Sequence, residues 1–339
     1  MPPKKKPARA VARSEALEKL FAELDKEVAP GAGRPIREQP TTPCNRLSCG
    51  LPSVDLIMGG GMPEGRVLEF YGTEAGGKTS LSLCAIGAVQ RAGFEAAYID
   101  VEHSFDTDWA EKLGVDIDRM LYHSPDHGEQ ALQVVERMVR SGEVRLVVVD
   151  SVSALVPLAE LKGEIAEEHV GRQARLMSQG LRRLVPSIAR SHAIVIFINQ
   201  LREKIGVSYG NPETTSGGRA LKFYSSIRLD VRKGEPLSSG GERIGDTVKI
   251  RVVKNKTFPP YKQAMQHLLY VRGFDAAWSL FEQALTVGVV EARGSHYGFP
   301  AATDDGMKHL GQGKEAAVQT LRDSTALQAA IMAEVLKAL

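Results

Sequence analysis

The chain has 339 residues and a mass of 36.8 kDa, room for about two domains. Hydrophobic residues at 43% and charged residues at 25% exclude wholesale disorder, and a net charge of +2, from 43 Lys+Arg against 41 Asp+Glu, means that any basic surface must be local. No apolar run approaches the roughly 18–20 residues of a membrane span, no apolar segment follows the basic N-terminus as in a secretory signal, and three cysteines do not make a disulfide scaffold, so a reducing cytoplasm is expected.

Residues 1–13 hold Lys4, Lys5, Lys6, Arg9 and Arg13 with no acid. They read as a basic disordered tail, either simply solvated or sampling phosphates. Over 14–28, Leu17, Leu20, Phe21, Leu24 and Val28 form one helical stripe, which must dock on this chain's core or on a neighbouring subunit. Residues 29–43, rich in Pro and Gly, read as a linker. From 44 to 275 strands and helices alternate. Strands are expected at Val67–Tyr71, Ala96–Val101, Val144–Val149, Ala193–Ile198, Ile227–Val231 and Thr247–Val253, and helices at Thr79–Arg91, Gly128–Arg140 and Arg172–Arg190. Leu146–Val149 and Ala193–Ile198 are continuous apolar runs, as in parallel strands covered on both faces. This is an α/β doubly wound pattern with a mostly parallel sheet. Residues 276–339 turn to short Ala-rich helical stretches between glycine loops, a small second domain.

Four strand ends carry polar groups. Gly72-Thr73-Glu74-Ala75-Gly76-Gly77-Lys78-Thr79, with Ser80 next, fits G-x-x-x-x-G-K-[ST] between a strand and a helix. Glycines let backbone amides curl around phosphate oxygens, Lys78 reaches the β- and γ-phosphates of ATP, and the Thr79 hydroxyl ligates Mg²⁺. Asp150 ends the run Leu146–Val149, where a carboxylate supports the Mg²⁺ shell. Glu102 ends another strand and is the candidate water-activating base, but Asp100 and His103 stand beside it and spacing alone does not choose. Asn199-Gln200 closes the Ala193–Ile198 strand, in reach of a γ-phosphate. Ligands of α/β sheets sit at such carboxyl ends. Cys44 and Cys49 lack a partner pair, and zinc is not expected.

Longer stretches, including Ile205-Gly-Val-Ser-Tyr-Gly-Asn-Pro-Glu-Thr-Thr-Ser-Gly-Gly218, Phe197-Ile-Asn-Gln200, Ala220-Leu-Lys-Phe-Tyr224 and Val252-Val-Lys-Asn-Lys256, resemble the bacterial-type RecA recombinases from about residue 48 to about 320. The resemblance implies a RecA-like P-loop NTPase core, an N-terminal oligomerisation helix with linker (14–43), the core over 44–275 and a small α+β C-terminal domain over 276–339. It implies that Glu102 activates water and that Gln200 senses the γ-phosphate and couples it to the DNA loop. Asp106, Trp109 (where Tyr is usual) and Tyr270 lie on the base side, and Lys254 and Lys256 reach a neighbour's ATP. Phe223 lies at the protomer interface of a homo-oligomeric helical filament.

The resemblance places DNA on two loops, about 162–171 and 200–217, the second with Arg202 and Lys204 and ending in Gly217-Gly218. Arg172, Arg175, Gln179 and Arg182 make a basic helical face between them. Lys249 and Arg251 share one strand face and, with Arg232 and Lys233, resemble a secondary site for duplex or displaced strand. Val170, Glu203, Ser208 and Tyr209 depart from the family pattern, as do Thr73 and Ala75-Gly76 in the phosphate loop. The acidic C-terminal tail of many relatives is missing, which implies readier duplex engagement at low salt. Partners implied are single- and double-stranded DNA, a LexA-type repressor whose self-cleavage the filament stimulates in SOS signalling, and loading mediators; no membrane is implied. The leading reading is a DNA-dependent ATPase that exchanges strands in recombinational repair. Its competitors are an ATP-bound signalling scaffold and a hexameric motor on the same core.

Overall fold

Strands that are apolar at every position need cover on both faces, and the chain supplies it. A computed structural model describes residues 14–30, 32–34, 44–163, 171–203, 213–303 and 306–338. The expected segments 1–13 and 35–43, and the loop residues 164–170 and 204–212, lie outside the described residues. The chain divides into two units at Cys44/Asn45. In the first, α1 (Glu15–Glu27) starts at Ser14, whose side chain accepts from the Leu17 amide, a standard N-cap. Phe21 of the expected stripe is buried, whereas Leu17, Leu20 and Val28 are exposed. Arg34 pairs with Asp25, folding residues 32–34 back along the helix.

The second unit begins with β1 (Arg46–Leu47), α2 (Pro52–Met58) and β2 (Met62–Pro63). Then come β3 (Val67–Gly72), α3 (Lys78–Arg91), β4 (Glu95–Asp100), α4 (Thr107–Lys112), β5 (Leu121–His123), α5 (Gly128–Ser141), β6 (Val144–Asp150), α6 (Leu158–Leu161) and α7 (Arg172–Ser191). They are followed by β7 (Ile194–Glu203), β8 (Glu213–Thr215), α8 (Ala220–Tyr224), β9 (Ile227–Ser239), β10 (Glu242–Asn255), β11 (Gln263–Leu269) and β12 (Gly273–Phe274). These strands make one sheet in the order β12-β11-β10-β9-β3-β7-β6-β4-β5, with β8 beside β7. Pairing is parallel from β9 through β3, β7, β6 and β4 to β5, and antiparallel from β9 to β12.

Side chains alternate across the sheet. Leu146 and Val148, with Ile194, Ile196 and Ile198, pack in the cluster under α2 and α3. Val147 and Val149, with Val195 and Phe197, pack in the cluster under α5 and α7. The chain is a RecA-like α/β core: a mostly parallel sheet with helices on both faces.

The C-terminal stretch is the small α+β domain that the resemblance implies, with a sheet between its Ala-rich helices. α9 (Ala276–Thr286) is followed by a three-stranded antiparallel sheet of β13 (Glu291–Arg293), β14 (His296–Thr303) and β15 (Gly306–Gln312). Two helices follow, α10 (Lys314–Arg322) and α11 (Thr325–Ala338). Phe281, Phe299, Leu310, Leu321 and Ile331 close a separate apolar cluster there. Strands β9 and β10 also run well past their expected ends, as a long exposed hairpin whose polar residues carry no apolar signal.

Candidate nucleotide and DNA site

Parallel register sets the site. Gly72 lies opposite Gln200 across β3 and β7, and Asp100 opposite Asp150 across β4 and β6, so the four polar strand ends share one sheet edge. A Cβ on Gly72 would fall 1.9 Å from the Val231 carbonyl oxygen on β9, so only glycine fits where the phosphate loop leaves the sheet. Gly77, at φ 91°, caps α3 in a left-handed conformation. Thr73, Glu74 and Ala75 are exposed at the mouth, while Gly76, Lys78 and Ser80 are buried. The Lys78 ammonium donates to the Thr73 carbonyl at 2.5 Å. Burial pulls its pKa below the ordinary lysine value, against the opposing pull of Asp150, Glu102 and Glu74. A half-desolvated cation beside a helix N-terminus and its amides is an anion cradle.

Asp150 Oδ2 accepts from the Thr79 hydroxyl at 2.7 Å and the Tyr98 hydroxyl at 2.7 Å. Burial pushes the Asp150 carboxyl up to about 6, with the two hydroxyls pulling it back and Glu102 adding repulsion. A buried carboxylate met by hydroxyls and one nearby lysine is short of positive charge. Thr79 and Asp150 therefore suit Mg²⁺, which keeps most of its waters and takes one or two protein oxygens. Glu102 is exposed. Its Oε1 accepts from the Ser151 hydroxyl and from the Gln200 amide at 3.2 Å, so base and sensor candidates are already joined.

On the base side, Asp106 caps α4 by accepting from the Trp109 amide at 3.0 Å, and the Trp109 indole N–H donates to Ser80 Oγ at 3.1 Å. Trp109 thus leans on the helix that starts at Lys78. Tyr270, half exposed after β11, donates to Asp246 at 2.7 Å; no hydrogen bond joins it to Asp106 or Trp109 among the described residues.

Lys254 donates to the carbonyls of Lys222 at 2.5 Å and Phe223 at 3.1 Å, and Lys256 to that of Phe223 at 3.1 Å. Burial lowers the Lys254 pKa to about 8, helped by Lys256 and Arg228. The Phe223 ring is 70% exposed, an uncovered aromatic beside two cations.

Of the DNA candidates, Arg175, Gln179 and Arg182 share an exposed face of α7, while Arg172 donates to the Ala159 carbonyl. Gly217 and Gly218 both have left-handed backbones and pack against Val152 and Ala174, two residues before the short α8. Arg202 is exposed on β7; Lys204 lies outside the described residues. Lys249 and Arg251 are exposed while Val248, Ile250 and Val252 are buried, and register sets them opposite Arg232 and Asp230. Arg232 is held by Glu213 at 2.6 Å and Asp230 at 2.9 Å, and Lys233 by Asp246 at 3.0 Å. Local acids therefore balance much of this patch.

Asn199, expected with Gln200 in reach of a γ-phosphate, is fully buried instead, and its partners Glu69 and Arg228 escaped the sequence reading. The Asn199 amide donates to Glu69 Oε1 at 3.0 Å and to the Ser216 carbonyl at 3.1 Å, and Arg228 donates to Glu69 Oε2 at 2.5 Å. The available signal was Glu69, a carboxylate in an otherwise apolar strand, which demands a buried partner. Gln173 ties the start of α7 to the carbonyls of Val152, Ser153 and Leu155. Ser151 and Tyr98 left no signal beyond their place at strand ends.

Residues 15–275 match the family model described as the RecA N-terminal domain. The chain is 47% identical over 327 residues to the RecA protein of Thermus thermophilus, covering 96% of this chain and 94% of that one. It is 48% identical over 313 residues to that of Halalkalibacterium halodurans (92% and 88%) and 46% identical over 313 residues to that of Streptomyces avermitilis (92% and 81%). With these matches, the phosphate loop and the polar strand ends gathered at one sheet edge, the chain belongs to the RecA family of DNA recombination and repair proteins.

Proposed function

We propose that this chain is a DNA-dependent ATPase that polymerises as a helical filament on single-stranded DNA and carries out homologous pairing and strand exchange in the cytoplasm. ATP is the substrate. The loop amides and Lys78 hold its phosphates, and Thr79 and Asp150 would hold Mg²⁺, which would supply positive charge to the triphosphate. Glu102 takes the proton of the attacking water, its carboxylate aimed by Ser151 and Gln200. Asp106, Trp109 and Tyr270 contact the base. Lys254 and Lys256 act on a neighbour's γ-phosphoryl, so hydrolysis needs assembly, and Phe223 seals that contact. Arg172, Arg175, Arg182, Arg202, Lys204 and the Gly217-Gly218 backbone hold single-stranded DNA; Lys249, Arg251, Arg232 and Lys233 receive the second DNA. The same filament stimulates self-cleavage of a LexA-type repressor.

One observation carries this reading. The segment 204–212 is bracketed by the γ-phosphate wall: it leaves from Gln200 on β7, and Asn199 bonds the Ser216 carbonyl where the chain returns through β8. A shift of Gln200 toward a γ-phosphate therefore reaches both ends of the DNA loop. The test is Gln200→Ala. ATP binding and DNA binding persist, while stimulation of hydrolysis by single-stranded DNA falls at least tenfold. Full stimulation in the variant overturns the coupling.

A further inference from the structure

Glu102 sits in a turn whose backbone is held from several sides. After Asp100 the chain passes through Val101 and Glu102 to His103, which takes a left-handed backbone at φ 54°. That conformation is uncommon for a non-glycine residue, although histidine tolerates it better than most. Asp100 Oδ2 accepts from the Phe105 amide at 3.1 Å and the Tyr122 hydroxyl at 3.0 Å, closing the turn from below. The residue that closes it from the side is Ser124, just beyond the end of β5. Its hydroxyl lies 2.5 Å from His103 Nδ1 and 3.2 Å from the Asp100 carbonyl oxygen, which accepts from it.

We infer that Ser124 and His103 form a positioning clamp that fixes the turn carrying Glu102 and so sets the rate of the chemical step. This rests on reading Glu102 as the water-activating carboxylate. The Ser124 hydroxyl touches both shoulders of the turn, the residue two before Glu102 and the residue immediately after it. With its one proton donated to the Asp100 carbonyl, its oxygen accepts from an Nδ1–H of His103; with the proton turned to Nδ1, the imidazole accepts. In either arrangement the β5 exit is tied to the β4 exit. Among the described residues the Glu102 carboxylate is hydrogen-bonded by Ser151 and Gln200, and it is itself exposed. On the proposed reading Gln200 also serves the γ-phosphate, so its bond to Glu102 is shared. When it turns away, Ser151 and the backbone clamp are what keep the carboxylate aimed, and a displacement of about 1 Å at such a group costs on the order of 10²-fold. The side-chain hydrogen bonds that Ser124 makes go to the shoulders of the turn, so on this proposal both residues act through Glu102.

The clamp predicts a specific split. Ser124→Ala lowers the single-stranded-DNA-stimulated kcat about tenfold or more, with the KM for ATP within twofold and the midpoint of thermal unfolding unchanged within about 2 °C. Ser124→Thr, which keeps the hydroxyl, restores at least half of the rate. Because Ser124 is close to the sheet, the exposed partner provides a second route. His103→Gly keeps the left-handed backbone without the imidazole and lowers kcat similarly, whereas His103→Asn, with a polar atom near the Nδ1 position and the same backbone tolerance, retains most of it. The Ser124→Ala/His103→Gly double variant is no slower than the slower single variant, as for two residues acting as one unit. Wild-type rates in Ser124→Ala and His103→Gly, additive losses in the double variant, or losses in KM alone each overturn the clamp. Wild type and Glu102→Gln are measured alongside. If Glu102→Gln still hydrolyses ATP, it is the reading of Glu102 that fails; if it does not, the Ser124 and His103 results decide the clamp by themselves.

Discussion

At the residue scale, the site is built from groups held away from their ordinary ionisation. Asp150 is raised by burial and Lys78 and Lys254 are lowered by it, and in each case burial outweighs the opposite charges nearby: Lys78 for Asp150, Asp150, Glu102 and Glu74 for Lys78, and Glu69 for Lys254. Lys254 gives the cleanest pH test. Its folded value of about 8 lies below the ordinary 10.5, first through burial and then through Lys256 and Arg228. Between these values the unfolded chain holds more protons than the folded one, so stability rises with pH from about 8 to 10.5, and the cost is fully present below 8. Lys254→Gln removes that cost. The expected outcome is a variant more stable than wild type at pH 7, by about 1 kcal/mol or less because the ammonium is partly exposed to screening solvent. The gap closes as the pH approaches 10. Denaturant unfolding of both proteins from pH 7 to 10 checks this; a gap that widens with pH contradicts it.

At the element scale, the proposed contact with a second DNA falls on the β9–β10 hairpin. Lys249 and Arg251 project from β10 on one face, opposite Arg232 and Asp230 on β9. Arg232 already serves Asp230 and Glu213, so a phosphate must compete for it, whereas Lys249 and Arg251 stand exposed. The Lys249→Ala/Arg251→Ala variant is expected to lower the slope of log affinity against log salt for duplex DNA by about 2, and Arg232→Ala by less than about 1. Titrations of a labelled duplex across salt concentrations measure this, and an unchanged slope in the double variant contradicts it. The alternation that exposes these cations was legible in the sequence because Val248, Ile250 and Val252 mark the other face. The counter-ions were not, because Glu213 and Asp246 are brought in by register and by β8, which no local pattern announces. The C-terminal sheet was legible only through the family resemblance: Ala- and Gly-rich segments carry little periodicity, and the pairing of β14 with β15 is a tertiary outcome. The core strands were readable because β6 and β7 carry continuous apolar runs, and the phosphate loop because its glycine spacing is a signature that the approach of the Val231 carbonyl to Gly72 and Gly76 helps to explain.

At the scale of the whole molecule, the pieces become useful only in an assembly. Phe223 is left exposed, and Lys254 and Lys256 crowd the same short helix, with Glu69 pulling on Lys254 from the sheet. An aromatic ring flanked by cations suits a neighbouring copy whose bound nucleotide supplies negative charge, and head-to-tail repetition of one such contact gives an open helix rather than a closed dimer. The buried Asn199–Glu69–Arg228 chain runs from the γ-phosphate wall toward that same surface, since Arg228 and Lys254 feel each other electrostatically. Lys254 lies opposite Arg228 at the amino end of β9, across the sheet from the carboxyl edge that carries Gly72, Gln200 and Asp150, and on the proposed reading hydrolysis should depend on nucleotide, DNA and subunit contact together. The most direct test is ATP hydrolysis with and without single-stranded DNA, in wild type and in Glu102→Gln. The account predicts strong stimulation by DNA in wild type and, in the variant, loss of at least about 10²-fold in rate with nucleotide still bound. Hydrolysis indifferent to DNA, or a variant as active as wild type, contradicts it.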